Sequence, residues 1–360
     1  MAEIKVRLKE RSYKIHIGLG IADKSGEIIE SFTPHKILII TNPLVYKIAG
    51  KRVENSLKKK RLKFSTEIIP DGERYKTLAT AKKLYDVMVR EKIERDSLII
   101  ALGGGVIGDI AGFVAATYMR GIPFVQIPTT LLAQVDASIG GKVAVNHSAG
   151  KNLIGAFYQP KAVISDCEFL KTLNEKEYKN GLAEVIKTAA ILDADFFSYI
   201  EKNLEKIMQR DEKCLFHMVK TSSYLKGKVV AEDEREGGRR AILNYGHTFG
   251  HGFEKLGNYR RFSHGETVMA GMILAVWLAL QLKVCDKETA QRQEDLIRKV
   301  GLAKGIFDFD ARDLIEAMER DKKKKAGKLR FILTNKIGSA IISDTAKRKD
   351  ILSVLKKFTK

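Results

Sequence analysis

Four short apolar runs, each breaking off into glycine or polar residues, constrain this chain more than any other feature. They are HKILIITN (35–42), SLIIALGGG (97–105), PFVQIPTTL (123–131) and AVISD (162–166). Amphipathic stretches such as YKTLATAKKLYDVMVREKI (75–93) lie between them. Runs without polar alternation need cover on both faces, and helix-length segments supply the crossovers that parallel strands require. Residues 1–175 are therefore expected to form an α/β domain around a parallel sheet.

The texture changes between about 170 and 178. Helical periodicity then dominates, as in NEKEYKNGLAEVIKTAAIL (174–192) and GETVMAGMILAVWLALQLK (265–283), and strand-like residues return only at KLRFILTN and GSAIIS. Residues 176–360 are expected to form a second, mainly helical domain. A chain of 360 residues is long enough for both.

Composition narrows the function classes. With 44% hydrophobic and 30% charged residues and only 6 Pro, the chain has the profile of a soluble folded protein. The longest apolar run, AGMILAVWLALQL, is too short to span a bilayer, and the first residues lack the apolar centre of a signal peptide. Three cysteines at wide spacings (Cys167, Cys214, Cys285) make no disulfide framework, which fits a reducing cytoplasm. The formal charge of +20 is compatible with nucleic acid, an acidic surface or an anionic small substrate. No nucleic-acid motif accompanies it, and the lysines are spread along the whole chain.

The segment LIIALGGGVIGDIAGFVAA sets Gly103, Gly105 and Gly108 in a G-x-G-x-x-G pattern after a strand and at the start of a helix. Glycines there let a pyrophosphate approach the backbone, and a helix N-terminus offers N–H donors. The usual acidic ribose-binding residue about 20 positions on is absent, so a tight packing turn competes with nucleotide binding. The density of glycine favours nucleotide binding. Asp109 follows in the first helical turn, and PDGERYKT (70–77) reads as a turn and helix cap. LLAQVDASIGGKVAVNHSAGKNLIGAFYQP places Asp136, Lys142, Asn146 and Lys151 among small residues, a composition suited to a phosphate or carboxylate.

Glu184 and Lys187 stand three apart on an otherwise apolar helix, and a buried carboxylate needs a partner, of which a metal is one. His247, His251 and His264 are three of only seven histidines. Carboxylate and neutral imidazole meet the needs of a catalytic metal with an open position. Spacing puts His247 and His251 on one helix face, about 5–6 Å apart at Cβ. It leaves open whether both or only one is a ligand.

These residues together resemble the 3-dehydroquinate synthase family of the shikimate pathway. The resemblance runs through DGERYK, the long block from LGGGVIGDIAG to AFYQP, GLAEVIK, LNYGHTFGHGFE and HGETVMAGM, covering most of 40–275. Ala137 and Val143 stand where many members carry hydroxyl side chains, and Gly252 where alanine is common. The resemblance implies an NAD- and divalent-metal-dependent phosphorus–oxygen lyase. Its reaction converts 3-deoxy-D-arabino-heptulosonate 7-phosphate, a phosphorylated sugar acid, to 3-dehydroquinate and phosphate. It implies a Rossmann-like NAD-binding domain followed by a metal-binding one, with Zn2+ or Co2+ on Glu184, His247 and His264.

Cofactor contacts carry over to Asn42, Asp71, Gly72, Glu73, Arg74, Tyr75, Lys76, Gly105, Val106, Ile107, Gly108, Asp109, Thr129, Thr130, Lys142, Lys151, Phe169, Leu170, Lys171 and Thr172. Substrate-facing residues carry over to Asp136, Lys142, Asn152, Lys187, Lys226, Arg240, Asn244 and His251, with Lys322 or Lys323 as an addition. The resemblance also implies a homodimer in which Arg120 reaches the neighbouring subunit's phosphate site. By this reading His247 binds metal and His251 faces substrate. No nucleic acid and no membrane enter the expectation.

Overall fold

The computed structural model describes residues 1–323 and 329–359, without the side chains of 320–323, so the expected substrate contact of the Lys322 or Lys323 side chain lies outside what is described. They divide into two compact units, Met1–Asn174 with Glu212–Arg235, and Glu175–Asp211 with Glu236–Lys360.

The first unit is built on a seven-stranded sheet. Its strands are β1 (Ala2–Val6), β2 (Tyr13–Gly18), β3 (Ile37–Thr41), β4 (Phe64–Ile68), β5 (Leu98–Gly103), β6 (Phe124–Pro128) and, after a separate β7–β8 hairpin (Lys142–His147, Gly150–Phe157), β9 (Ala162–Asp166). The order is β1-β2-β9-β6-β5-β3-β4, parallel throughout except for the β1–β2 pair. The four apolar runs are the four central strands β3, β5, β6 and β9, each buried along its whole length.

Alternate residues feed the two faces. Leu38 and Ile40 of β3, with Ile99 and Ala101 of β5, pack under helices α4 (Leu78–Arg90) and α5 (Gly105–Thr117), touching Leu84, Met88, Ile110 and Val114. Ile37, Ile39, Leu98 and Ile100 face the other way, onto the side that carries α1 (Ser25–Glu30), α2 (Pro43–Val45) and α3 (Lys51–Lys59), where Val53 and Leu57 meet them. The chain runs from β3 outward to β4 and then crosses back to β5 on the other side of β3. The C-terminal ends of β3 and β5 thus flank the point where strand order reverses. Open parallel sheets leave a crevice there, and ligands bind in it.

In the second unit, α6 (Glu175–Leu192) and α7 (Ala194–Met208) precede the excursion of α8 (Glu212–Glu232), which belongs to the first unit. One cut at 175 therefore does not describe the division, because α8 packs on β1 and on the turn at Ala133–Ala137. The second unit continues with α9 (His247–Leu256), α10 (His264–Gln281), α11 (Lys287–Val300), α12 (Ala311–Lys323), the antiparallel pair β10 (Phe331–Lys336) and β11 (Ser339–Ser343), and α13 (Arg348–Phe358). The apolar run is the buried helix α10.

Helices α9 and α10 meet backbone to backbone. A Cβ built on Gly271 would lie 2.0 Å from Gly246 O, so only glycine admits this approach. Gly252 is close-packed against α12, but there a Cβ would meet side chains that can shift, Leu314 Cδ1 at 2.8 Å and Met318 Cγ at 3.0 Å. No helix among the described residues is long and apolar enough to cross a membrane.

Candidate active site

The glycine turn after β5 separates into packing glycines and an open one. A Cβ on Gly103 would meet Ile107 Cβ at 2.7 Å, one on Gly108 would meet Gln126 Oε1 at 2.7 Å, and one on Gly112 would meet Val143 Cγ1 at 2.3 Å. These hold α5 close to β6 and to the β7–β8 hairpin. At Gly105, the first residue of α5, the nearest atom to such a Cβ is Ala137 Cβ at 3.6 Å, an ordinary contact. Val106 and Ile107 complete the first turn, with Ile107 buried in the core. Gly72, at φ +111°, has nothing within 4 Å of a Cβ position. A helix N-terminus with clear space before it, at the switch point of a parallel sheet, fits a dinucleotide pyrophosphate.

Asn42 follows β3, caps α2 and is held on both sides. Its Oδ1 accepts from Val45 N at 2.8 Å, and its Nδ2 donates to Asp71 Oδ1 at 2.8 Å. The DGERYK turn is thereby tied to the switch point. Arg74 stacks over Tyr75, 4.8 Å from the ring centroid. Glu73 Oε1 accepts from Asn146 Nδ2 at 2.7 Å, and Asn146 Oδ1 accepts from Asn152 N at 2.9 Å. Asn146 thus links two segments of the expected site, a role its sequence position did not suggest.

Lys76, almost completely buried, forms an ion pair with Asp109 and donates to Asn152 Oδ1. Asp109 opens the second turn of α5 rather than lying in the first, as expected from sequence. Burial pushes its carboxyl up to about 6, although Lys76 pulls the other way. Asn152 sits at φ +57°, a conformation asparagine tolerates better than most residues.

Thr129 is buried after β6, while Thr130 Oγ1 accepts from Ala133 N at 3.2 Å. Lys226 on α8 donates to Asp136 O at 2.8 Å and pairs with its carboxylate. Lys142 and Lys151 are exposed on the hairpin, and Arg120 is exposed in a short turn after α5. The 169–172 segment divides: Phe169 and Leu170 point into the core, Lys171 pairs with Glu212, and Thr172 Oγ1 donates to Phe169 O. Only Lys171, Thr172 and the backbone there remain outside the core.

The second unit brings Glu184, His247 and His264 together. Their donor atoms lie within 4.8 Å of one another, with Glu184 Oε1 3.8 Å from His247 Nε2 and 3.5 Å from His264 Nε2. Metal–ligand bonds of about 2.0–2.2 Å at tetrahedral angles separate ligand atoms by about 3.4 Å. The spacing fits one small divalent cation. The other three-residue donor group among the described residues, His35, Glu94 and Asp96, is fully at the surface.

The electrostatics around Glu184 point the same way. It is 1% exposed; Lys187 Nζ forms an ion pair with Oε2, yet neither carboxylate oxygen accepts a well-aligned hydrogen bond. Burial pushes this carboxyl up, but Lys187 and the two imidazoles outweigh it and hold it well below the usual range. Burial, with Lys187 nearby, takes His247 down to about 3, leaving a neutral imidazole. Burial also disfavours the charged form of His264, but Glu184 and Glu254 overcome this and raise it to about 10.

The tautomers follow from the acceptors. His247 Nδ1 lies 3.1 Å from Tyr245 O and His264 Nδ1 lies 2.9 Å from Glu254 Oε1. Both partners can only accept, so each Nδ1 carries a proton and each Nε2 faces Glu184; on neutral His247 that nitrogen holds a lone pair, whereas on His264 it also carries a proton that a bound cation would displace. His251 is exposed one turn beyond His247, its ring 5.7 Å away and nearly perpendicular. It is not in the donor group. Asn244 Nδ2 donates to Glu236 Oε1 at 2.8 Å, and Arg240 is buried at 2% exposure. Glu254 was not among the expected site residues. Its signal was the His247–His251–Glu254 spacing, which continues one helix face.

Comparison with known proteins settles the family. Residues 66–180 match the 3-dehydroquinate synthase N-terminal family and residues 181–324 the C-terminal family. The 3-dehydroquinate synthase of Thermoanaerobacter pseudethanolicus is 48% identical over 98% of this chain and 99% of its own length.

This chain belongs to the 3-dehydroquinate synthase family.

Solved relatives of the fold bind both groups expected here. A 2-deoxy-scyllo-inosose synthase complexed with carbaglucose-6-phosphate, NAD+ and Co2+ superposes with a TM-score of 0.90 at 25% identity, covering 99% of this chain and 100% of that one. A 2-epi-5-epi-valiolone synthase from Streptomyces hygroscopicus, with NAD+ and Zn2+ bound, gives 0.87 at 25% identity over 98% of each chain. The fold of this chain, a mostly parallel seven-stranded sheet followed by a mainly helical part, matches both.

Proposed function

We propose that this chain converts 3-deoxy-D-arabino-heptulosonate 7-phosphate to 3-dehydroquinate and phosphate, using NAD and a divalent cation, Zn2+ or Co2+. The observation that carries this reading is the Glu184–His247–His264 donor group, standing in a chain that matches 3-dehydroquinate synthases along nearly its whole length. Transient oxidation at C5, loss of phosphate by β-elimination, reduction and an intramolecular aldol make up the reaction.

When bound, NAD takes and returns a hydride, and the cation draws electron density from the substrate hydroxyls. The chain's own residues supply the rest. In the first unit, the N-terminus of α5 from Gly105 to Asp109, the Asp71–Lys76 turn with Asn42, and Thr129, Thr130, Lys142, Lys151 and the 169–172 segment would hold the dinucleotide. Lys142, Asn152 and Lys226 would bind the substrate phosphate, with Asp136 keeping Lys226 in place.

In the second unit, Glu184, His247 and His264 would hold the cation, and Lys187 would balance the Glu184 charge. Arg240 offers a planar fork to the substrate carboxylate, and Asn244 and His251 face the substrate. Oxidation makes the C6 proton acidic, and the departing phosphate dianion can take it, so no strongly basic side chain is required. The chain works as a homodimer in the cytoplasm, with Arg120 reaching the neighbouring subunit. Cysteines outside any disulfide support the cytoplasm and the exposure of Arg120 supports the dimer, and a purely monomeric mass by light scattering would remove the dimer.

The test is incubation of the protein with NAD, Zn2+ or Co2+ and the heptulosonate phosphate. Phosphate release with no net change in NADH absorbance is expected. Absence of phosphate release from this substrate, with release from a sugar phosphate lacking the carboxylate, would assign the chain to another cyclase reaction. Accumulation of NADH would indicate a polyol dehydrogenase instead.

A further inference from the structure

We infer that Glu254 is the residue that positions His264 for the cation, an inference that rests on the metal reading proposed above. Three observations carry it. Glu254 Oε1 lies 2.9 Å from His264 Nδ1, a hydrogen bond between residues ten apart on different helices. The Glu254 side chain is only 14% exposed, so this bond is shielded from competing water. It lies seven residues after His247 on α9, on the same face as His247 and His251, so one helix face carries one ligand and the support of another.

The chemistry follows from what a carboxylate can do. It only accepts, so it holds the Nδ1–H of His264 and turns Nε2 toward Glu184 Oε1, 3.5 Å away, where a cation would take that nitrogen's lone pair. Because Glu254 meets the opposite ring nitrogen, it is not itself a fourth donor to the same ion. His247 receives the equivalent support from a backbone carbonyl, Tyr245 O, which no side-chain substitution removes. Glu254 is therefore the side-chain support of the pair. The helix start is independently fixed: Glu266 Oε2 accepts from Ser263 N at 2.7 Å and caps α10 just before His264. What remains free at His264 is rotation of its ring, and Glu254 fixes that.

Partners of this kind orient metal-ligating imidazoles, and their loss typically costs 10–100-fold in metal affinity. The experiment titrates metal-stripped protein with Zn2+ against a chromophoric chelator and records the Co2+ d–d absorption, with NAD affinity measured in parallel. Glu254→Ala is expected to weaken Zn2+ binding roughly 10–100-fold and to shift the Co2+ band while leaving NAD affinity unchanged. Glu254→Gln, which is isosteric and keeps an acceptor oxygen for Nδ1–H, is expected to lose less. Wild-type Zn2+ affinity in both Glu254 variants, with loss in His264→Ala, would overturn the role of Glu254 and leave the metal reading standing. Wild-type Zn2+ affinity in His264→Ala and Glu184→Gln would overturn the metal reading itself. Loss of NAD affinity in Glu254→Gln would show general disruption and would equally refute a positioning role.

Discussion

Two glycines seven residues apart on α5 should respond oppositely to the same methyl group. At Gly112 an added Cβ would stand 2.3 Å from Val143 Cγ1, 3.1 Å from Val143 Cβ and 3.2 Å from Phe124 Cε2. Ordinary carbon contacts are about 3.5–4.0 Å, so the overlap is about 1.2 Å against a β-branched side chain and an aromatic ring that are both buried. Overpacking of this kind costs about 1–3 kcal/mol, and the overlap puts Gly112 at the upper end. Replacing a helical glycine returns about 1 kcal/mol. The net loss for Gly112→Ala is then about 2 kcal/mol, a fall in Tm of roughly 4–8 °C for a unit of this size.

At Gly105 the same Cβ meets only Ala137 Cβ at 3.6 Å, and φ is not in the left-handed region. Gly105→Ala should fold with an unchanged or slightly higher Tm. Its methyl would occupy the space in which a pyrophosphate approaches the first N–H groups of α5. Losing one charge-assisted hydrogen bond there, worth about 1.5–3 kcal/mol, weakens NAD binding by about 10–100-fold. Scanning calorimetry and isothermal titration with NAD read the two effects separately. Wild-type NAD affinity in Gly105→Ala, or an unchanged Tm in Gly112→Ala, would refute this division of the glycine turn.

Two further outcomes are expected. His247→Ala should lose bound metal while His251→Ala keeps it and loses turnover, as read by metal content and phosphate release; equal metal loss in both would show that the pair is divided wrongly. Asp109 takes up its proton at about pH 6, so its ion pair with Lys76 is present at pH 7.5 and gone by pH 5. NAD affinity should therefore fall across that range with a midpoint near 6, and Asp109→Asn should flatten the profile. Because burial raises this pKa, the group's contribution to stability is present at low pH and lost as pH rises through about 6, so Asp109 does not drive acid unfolding. A midpoint unchanged in Asp109→Asn would assign the dependence to another group.

The legible strands were those buried on both faces, where composition alone marks a core strand. The β1–β2 pair, with its alternating burial at the sheet edge, and β4, half-buried up to an exposed Ile68, carry a weaker signal because solvent allows polar residues on them. The β7–β8 hairpin lay hidden in the glycine-rich polar segment, since its residues answer to α5 and to the expected ligands more than to strand propensity. Helix α8 reads as part of the helical half and yet packs on β1, because helical periodicity reports an apolar face without naming what covers it.

The sequence by itself determined the parallel sheet, the glycine turn at its switch point and the residue types able to bind a cation, because strand burial, turn chemistry and ligand chemistry are local properties of side chains. It also placed His247 and His251 on one helix face. Only the tertiary structure separated them. Glu184 and His264 come from other helices, and their donor atoms meet Nε2 of His247 and not the ring of His251. The same folding brought Glu254 to the far side of His264. Which nitrogen points where depends on groups distant in the chain, and that information exists only after α6, α9 and α10 have packed.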